Sequence, residues 1–295
     1  MLNNAQRQHA ADLPVYYKLV IKSSKSFFDV DWRGIWQYRD LLLLLVRRDF
    51  LSKYKQTVLG PAWFVFQPLA TTLIFTIVFN RVANISTDGL PPTLFYLTGL
   101  LTWNYFHAAF TGISGSLRAN AGVFNKVYFP RLIPPISLSI SALISVSIQL
   151  ATWIVVYLII KSNHPDPDSF GITLAAPLLL LLLAQTAMLA LGVGLLMAAA
   201  TTKYRDLTFT MGFISQAWLY LTPVIYPVSK IPEQWHWLAS LNPMTGIVEA
   251  TREVLLGQSV VSFGMMSVSV GITLAAFLLG VVIFNRIQRT FVDIL

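Results

Sequence analysis

Six stretches of the chain are long and apolar enough to form membrane-crossing helices: about residues 61–80, 93–117, 132–160, 170–200, 207–228 and 264–285. A helix needs about 20 mostly apolar residues to cross a hydrocarbon layer about 30 Å thick. None of the six contains Lys, Arg, Asp or Glu. The third and fourth exceed the required length, which predicts tilt or extension beyond the bilayer. Prolines fall within or at the ends of several windows (Pro68, Pro134, Pro135, Pro177, Pro223, Pro227). They are tolerated where neighbouring groups satisfy the freed carbonyls.

Three further segments carry helical patterns without spanning. In residues 36–55, Trp36, Leu43, Val46, Phe50 and Tyr54 fall near one face and Asp40, Arg48, Ser52 and Lys55 near the other, with Leu44 as an exception. This predicts either an amphipathic helix in the membrane interface or a solvated juxtamembrane helix. Residues 119–129 predict two to three helical turns, with Val123/Val127 and Phe124/Tyr128 paired at i, i+4. Pro130 ends that helix by biasing Phe129 away from helical geometry. Residues 229–262 predict two short helices divided at Asn242-Pro243, since proline suits a first helical turn.

Composition places all this in a membrane. Of 295 residues 55% are hydrophobic and 12% charged, where a soluble domain has about a quarter charged. The mean hydropathy is +0.63. The net charge of +8 is read as topology rather than nucleic-acid binding. With both termini on one side, that side collects 17 Lys and Arg, ten of them within residues 1–60, against four on the other. Acidic residues divide seven to six, so the asymmetry belongs to the basic residues and puts both termini in the cytosol. The segments 36–60 and 119–129 are then cytosolic and 229–256 lies outside. No cleavable signal is expected in the polar residues 1–35, which carry no assignable role.

Several chemistries are missing. There is no cysteine, and the four histidines lack metal-ligand spacing, so no metal site is expected. No GxxxxGK[ST] phosphate loop, GxSxG elbow or intramembrane carboxylate pair occurs. Glu249 and Glu253 share one helix face, for which a solvated surface with Arg252 as counter-charge is the simplest reading. An ion-coupled carrier usually places ionisable groups near the midplane, where this chain offers only His107 and tyrosines. The chain is a conduit or scaffold with no engine of its own, and energy would enter through a partner.

Four stretches carry a family resemblance: RRDFLSKYKQTVLGPAWFVFQPL (47–69), NKVYFPRLIPP (125–135), KYRDL (203–207) running to LTPVIYP (221–227), and LNPMTGIVEATREVLLG (241–257). In this order they resemble the membrane-spanning permease subunit of type 2 ATP-binding-cassette polysaccharide exporters, which serve O-antigen, capsule and teichoic acid. The resemblance covers the chain from about residue 36 to its end. It implies an all-α integral membrane protein of six transmembrane helices, with a cytosolic extension at 1–35, an interface helix at 36–60 and a permease domain at 61–295. It also implies re-entrant outer gate helices at 229–256, before span six. The implied assembly is a homodimer with two cytosolic ATPase subunits in a bacterial inner membrane. ATP and Mg would be used by those ATPases, with no cofactor on this chain. The implied substrate is a polysaccharide on an undecaprenyl pyrophosphate-type lipid, and no catalysis by this chain is expected. Competing readings are a drug or small-lipid exporter on the same fold, and an ATP-independent scaffold or enzyme of glycan synthesis.

The resemblance also distributes roles. Residues 119–129 correspond to the coupling helix that sits in a groove of the ATPase, with Val123, Phe124, Val127 and Tyr128 as anchors. Asn125 and Lys126 form its rim, and Arg131, Lys203, Arg205 and Asp206 lie on the same surface. Arg47, Arg48, Lys53 and Lys55 form a cationic cluster for the lipid pyrophosphate, with bulk anionic lipid as the plainer ligand. Trp63, Phe66, Gln67, Trp218 and Tyr220 are expected along the glycan conduit, although aromatic belts and helix-gluing amides give the same pattern. Asn242, Pro243, Glu249 and Arg252 fall at the outer gate.

Overall fold

The computed structural model describes residues 32–53, 55, 57–124, 127, 129–204, 206–258 and 261–290, and across them the secondary structure is helical. Two short helices come first, α1 (Trp32–Gln37) and α2 (Arg39–Ser52). The body of the helical bundle among the described residues is α3 (Trp63–Phe75), α4 (Pro92–Ala119), α6 (Ile133–Asn163), α7 (Leu179–Lys203), α8 (Leu207–Leu221) and α11 (Phe263–Thr290). A single turn, α5 (Ala121–Phe124), sits between α4 and α6, and α9 (His236–Leu241) and α10 (Pro243–Leu256) precede α11.

Proline sets many of these boundaries. Pro92, Pro134, Pro135 and Pro243 lie in first turns, where the missing N–H has no helical partner to lose. Pro223 acts in the opposite sense. It holds Thr222 extended at φ −98°, ψ 137° and stops α8 after 15 residues. The fifth predicted window, 207–228, is therefore helical only to Leu221. Pro68 lies inside α3, whose last turns widen into a π-helix over Thr76–Val82. Helix α10 ends on Gly257, whose φ of 75° lets its N–H reach the Glu253 carbonyl.

Helix α4 is the axis of the molecule. It packs along α6 and α7, and meets α3 and α10. Its buried side chains, among them Phe95, Tyr96, Phe106, Phe110 and Ile113, dominate the core. Two glycines let α7 approach its neighbours closely. Gly194 lies against Ile113 of α4, while Gly192 lies against the α11 backbone, where a methyl group on Gly280 would collide with the Gly192 carbonyl oxygen. Small residues at helix crossings are the usual means of packing within lipid, where burial from water supplies no force.

Among the described residues, four helical segments are long and apolar enough to cross a membrane: Gly60–Val82, Ile133–Asn163, Ala176–Lys203 and Phe263–Ile287. Leu73 on α3, Leu158 on α6 and Leu278 on α11 are exposed outward. Helix α4 has the length for a span at 28 residues, but carries Asn104, His107 and several hydroxyls suited to its protein-lined position. The long helices run alternately between two ends. At one, Arg118 at the close of α4 bonds to the Thr201 carbonyl of α7 and the Thr208 hydroxyl of α8. At the other, Gly171 N–H donates to Leu256 C=O at 3.0 Å and Ser229 donates to Asp88 at 2.6 Å. We call these the α2 end and the α10 end.

Two predicted segments differ in detail. The 119–129 helix divides into the last residue of α4, a turn at Asn120, and α5. Asn120 departs from helical geometry at φ −107°, ψ 8°, which separates the two helices. The predicted stripe of α2 is also rearranged. Leu45, Val46 and Asp49 point inward, while Trp36 of α1 and Leu43 of α2 are exposed. Burying Asp49 is possible because Arg48 and Ser137 both donate to its carboxylate.

Candidate functional site

At the α2 end, α2 is tied down by polar contacts as well as by apolar ones. Leu45 joins Phe129 and Ile133 in a small cluster that also takes Phe124, and Phe50 stacks on Phe64 of α3 at 5.8 Å. Arg48 donates to the Asp49 carboxylate at 2.8 Å and reaches the Asn120 side-chain oxygen at 3.4 Å. Ser137 of α6 donates to the other Asp49 oxygen at 3.2 Å. The sequence-predicted cationic cluster is therefore divided. All four are exposed to solvent, but Arg48 is also tied to Asp49 and Asn120, whereas Arg47, Lys53 and Lys55 project from the surface. Partial desolvation lowers the Lys53 pKa below its ordinary value, and the Asp49 carboxylate opposes that shift.

The predicted coupling residues also separate. Val123 and Val127 are exposed apolar side chains one helical turn apart, joined by a backbone bond of 3.0 Å. Phe124 instead turns back onto Phe129 at 5.3 Å and carries the Arg131 guanidinium over its ring at 5.7 Å. Lys203 lies over the ring of Tyr204, and Asp206 stands exposed before α8. Asn125, Lys126, Tyr128 and Arg205 lie outside the described residues.

Helix α8 is lightly held. Of its residues only Met211 and Ser215 are buried, while Phe209, Phe213 (77% exposed), Tyr220 and Leu221 face outward. Three polar clasps fix it along its length. Arg118 holds Thr208, His107 of α4 pairs with Ser215, and the Trp218 indole N–H donates to Asn242 at 2.9 Å. Towards the α10 end it walls a cleft of about 1320 Å³ lined by Phe213, Trp218, Leu221, Trp235 and Asn242, with Lys230 at its edge. Trp63, Phe66 and Gln67 of α3 are exposed, as is Tyr220. Trp218 is only half exposed and packs on Phe106 at 4.8 Å, so its indole serves the protein as well as the cleft. Amides elsewhere join helices: Asn104 donates to Gln149 and Gln185 donates to Ser269.

At the α10 end, Asn242 is a hub. Its side-chain oxygen caps α10 through Met244 N–H and accepts from Trp218, while its amide donates to the Thr222 hydroxyl at 2.9 Å. Asn242→Ala is expected to destabilise the protein by about 1–3 kcal/mol, since it removes a cap and leaves buried donors unpaired. A melting curve of the purified protein in detergent measures this. A variant as stable as wild type would show that the cap is dispensable.

Two turns further along α10 lies the largest departure from the sequence reading. Glu249 and Arg252 are 3% and 1% exposed, so their pair is buried rather than solvated. Arg252 donates to Glu249 Oε1 at 2.6 Å and to the Val224 carbonyl at 3.1 Å, and its guanidinium stacks on Phe95 at 3.7 Å. Glycine at position 99 leaves the room, since a Cβ there would come within 3.0 Å of the Arg252 guanidinium. Glu253, on the same helix, is exposed. The sequence signal for burial was the run of apolar residues on both sides of the pair, GIVEATREVLL.

Sequence reasoning missed Asp49, Arg118 and Asn120 as site residues. Arg118 and Asn120 flank the C-terminus of the most polar long helix, which was a usable hint. Asp49 carried no signal apart from its place beside Arg48.

The arrangement has no nucleophile or acid–base constellation, and no group of three or more metal-ligating side chains occurs among the described residues. It offers a turn with exposed apolar side chains at one end, a helix with few buried residues beside an aromatic cleft, and a buried polar knot at the other end. The long apolar helices suit a membrane protein, and comparison with known proteins gives its class. Residues 40–256 match the ABC-2 type transporter family, and the chain belongs to that family. It is 25% identical over 257 residues to the O-antigen export system permease protein RfbA of Klebsiella pneumoniae, covering 87% of this chain and 95% of that one. The polysialic acid transport protein KpsM of Escherichia coli is 24% identical over 213 residues, covering 72% and 80%. The capsule polysaccharide export inner-membrane protein CtrC of Neisseria meningitidis is 23% identical over 254 residues, covering 83% and 90%.

Proposed function

We propose that the chain is the permease subunit of an ATP-driven exporter moving a lipid-linked polysaccharide, of the undecaprenyl pyrophosphate type, across a bacterial inner membrane. In this reading α3, α4, α6, α7, α8 and α11 make six crossings, and the α2 end with both termini faces the cytosol. Helices α9 and α10 form a re-entrant gate on the outer side. Two copies pair through their lightly covered α3 and α8 faces, and two separate ATPase subunits bind ATP and Mg and dock at the α2 end. The observation that carries the reading is a set of exposed aromatic and amide side chains, Trp63, Phe66 and Gln67 on α3 and Phe213, Gln216 and Tyr220 on α8, of which Phe213 also lines the apolar cleft. Aromatic rings offer faces on which the C–H surfaces of sugars stack, and neutral amides bond to hydroxyls without fixing a charge.

The exposed Arg47, Lys53 and Lys55 supply cations at headgroup depth for the incoming pyrophosphate. The deciding experiment is purification with the partner ATPase and measurement of ATP hydrolysis. Lipid-linked polysaccharide should stimulate it and hydrophobic drugs should not. Stimulation by drugs alone, or no ATPase partner at all, would overturn the proposal.

Within this reading the docking anchors can be narrowed. Because Phe124 is used internally, Val123 and Val127 are the free anchors. Val123→Asp with Val127→Asp is expected to weaken association with the ATPase by about tenfold or more, measured by co-purification, without lowering the melting temperature of the permease. Undiminished co-purification would place the ATPase contact elsewhere.

A further inference from the structure

Arg118 and Asn120 sit at the foot of α5, and their side chains diverge. The Asn120 carbonyl accepts the N–H groups of Val123 and Phe124, both at 3.0 Å, so its backbone begins the α5 turn. Its buried side chain donates back to the Ser116 carbonyl of α4 at 2.9 Å and accepts from Arg48 of α2 at 3.4 Å. Through Arg48 and Asp49 the same chain of bonds reaches Ser137 on α6. Two residues earlier, Arg118 points to the other side. One arm of its guanidinium donates to the Thr201 carbonyl at the end of α7, and another to the Thr208 hydroxyl at 2.8 Å, in the first turn of α8. A planar guanidinium with several fixed donors is suited to bridging two elements at once, which an ammonium does less well.

The two elements that Arg118 bridges differ in how firmly they are held. Helix α7 is buried on several faces, and Thr201 itself donates to the Ser114 carbonyl of α4 at 3.3 Å. Helix α8 buries two residues. A segment with few buried apolar contacts opens at low cost, so a fork anchored on α7 and gripping α8 sets where α8 stands. Both branches start within three residues of the α5 turn.

We infer that Arg118 and Asn120 form a branch point. Through Arg118 a displacement of α5 is delivered to α8, and through Asn120 and Arg48 it is delivered to α2. They are positioning residues, acting on the conduit wall and the headgroup-facing helix without touching substrate. The inference rests on the proposed docking of an ATPase at α5. It adds that the ATPase stroke divides into two separable outputs, one moving the wall along which sugar passes and one moving the helix that receives the lipid headgroup.

The chain has no cysteine, so single cysteines report cleanly. An environment-sensitive fluorophore is placed at Phe209→Cys on α8, or at Leu44→Cys on α2, both exposed positions. Each labelled protein is assembled with its partner ATPase in lipid vesicles, and the ATP-dependent spectral change is read. Thr208→Val should reduce the α8 signal by about twofold or more and leave the α2 signal, ATPase co-purification and basal ATP hydrolysis unchanged. Thr208→Ser, which keeps the hydroxyl, should restore it, and Arg118→Gln should act as Thr208→Val does. Asn120→Ala should show the reverse selectivity, losing the α2 signal and keeping that of α8. An ATP-dependent α8 signal that persists in Thr208→Val, or one lost equally at both positions, overturns the branch point. A wild-type complex with no ATP-dependent signal at either position refutes the ATP-driven reading itself, and the inference with it.

Discussion

Glu249→Leu is expected to destabilise the protein by about 3–5 kcal/mol and to deplete the folded fraction recovered from membranes. The cause is Arg252. With 1% of its side chain exposed, its charge is neutralised by Glu249 at 2.6 Å, and the remaining contacts are the Val224 carbonyl and the face of Phe95. Removing the carboxylate leaves a buried guanidinium with a carbonyl dipole and a ring quadrupole, which compensate a full charge poorly. The double variant Glu249→Leu with Arg252→Met should recover most of the lost stability, since apolar groups can replace a buried ion pair at little net cost. Melting temperatures of the two variants in one detergent decide the matter. A single variant as stable as wild type, or a double variant no better than the single, would show that the pair is not the internal charge balance described above.

The second large effect is steric. Gly280→Ala places a methyl group against the Gly192 carbonyl oxygen, and that oxygen belongs to helix backbone with no flexible end to yield. Overpacking costs about 1–3 kcal/mol where side chains can adjust. Here the α7–α11 crossing itself must open, so the effect belongs at or beyond the upper end of that range. Gly271→Ala on the same helix meets nothing within 4 Å and serves as the control. It should be neutral or slightly stabilising through helix propensity. If the two alanine variants yield equal amounts of monodisperse protein with equal melting temperatures, the close crossing is not a determinant of the fold.

Much of the architecture was legible because its signals are local. Apolar run length placed α3, α6, α7 and α11, and Asn242-Pro243 divided α9 from α10 at the expected residue. What escaped was set by partners distant in sequence. Whether Glu249 and Arg252 face water or protein depends on Phe95, Gly99 and Val224, from segments that no periodicity ties to α10. Which face of α2 turns inward depends on Ser137 and Phe129, which offer Asp49 and Leu45 a place to go. The early stop of α8 was visible in Pro223, but a window of uninterrupted apolar residues outweighed it. Around the expected site residues, the structure separates side chains that residue type alone had grouped together. Among four expected docking anchors, Val123 and Val127 stand free and Phe124 packs inward, with Tyr128 outside the described residues.

The truncation of α8 has a consequence for the solvent that this part of the protein can tolerate. Fifteen helical residues rise about 22 Å, short of a hydrocarbon layer of about 30 Å. From Thr222 to Pro227 the chain continues in turns and bends, so its carbonyls are not paired in a helical ladder. Oil cannot satisfy such groups. Arg252 takes the Val224 carbonyl and Asn242 takes that of Leu221, so this stretch is solvated by the protein's own side chains. The turn that follows α8 is thus kept polar by the protein's own side chains, and its dielectric demand is one that acyl chains cannot meet.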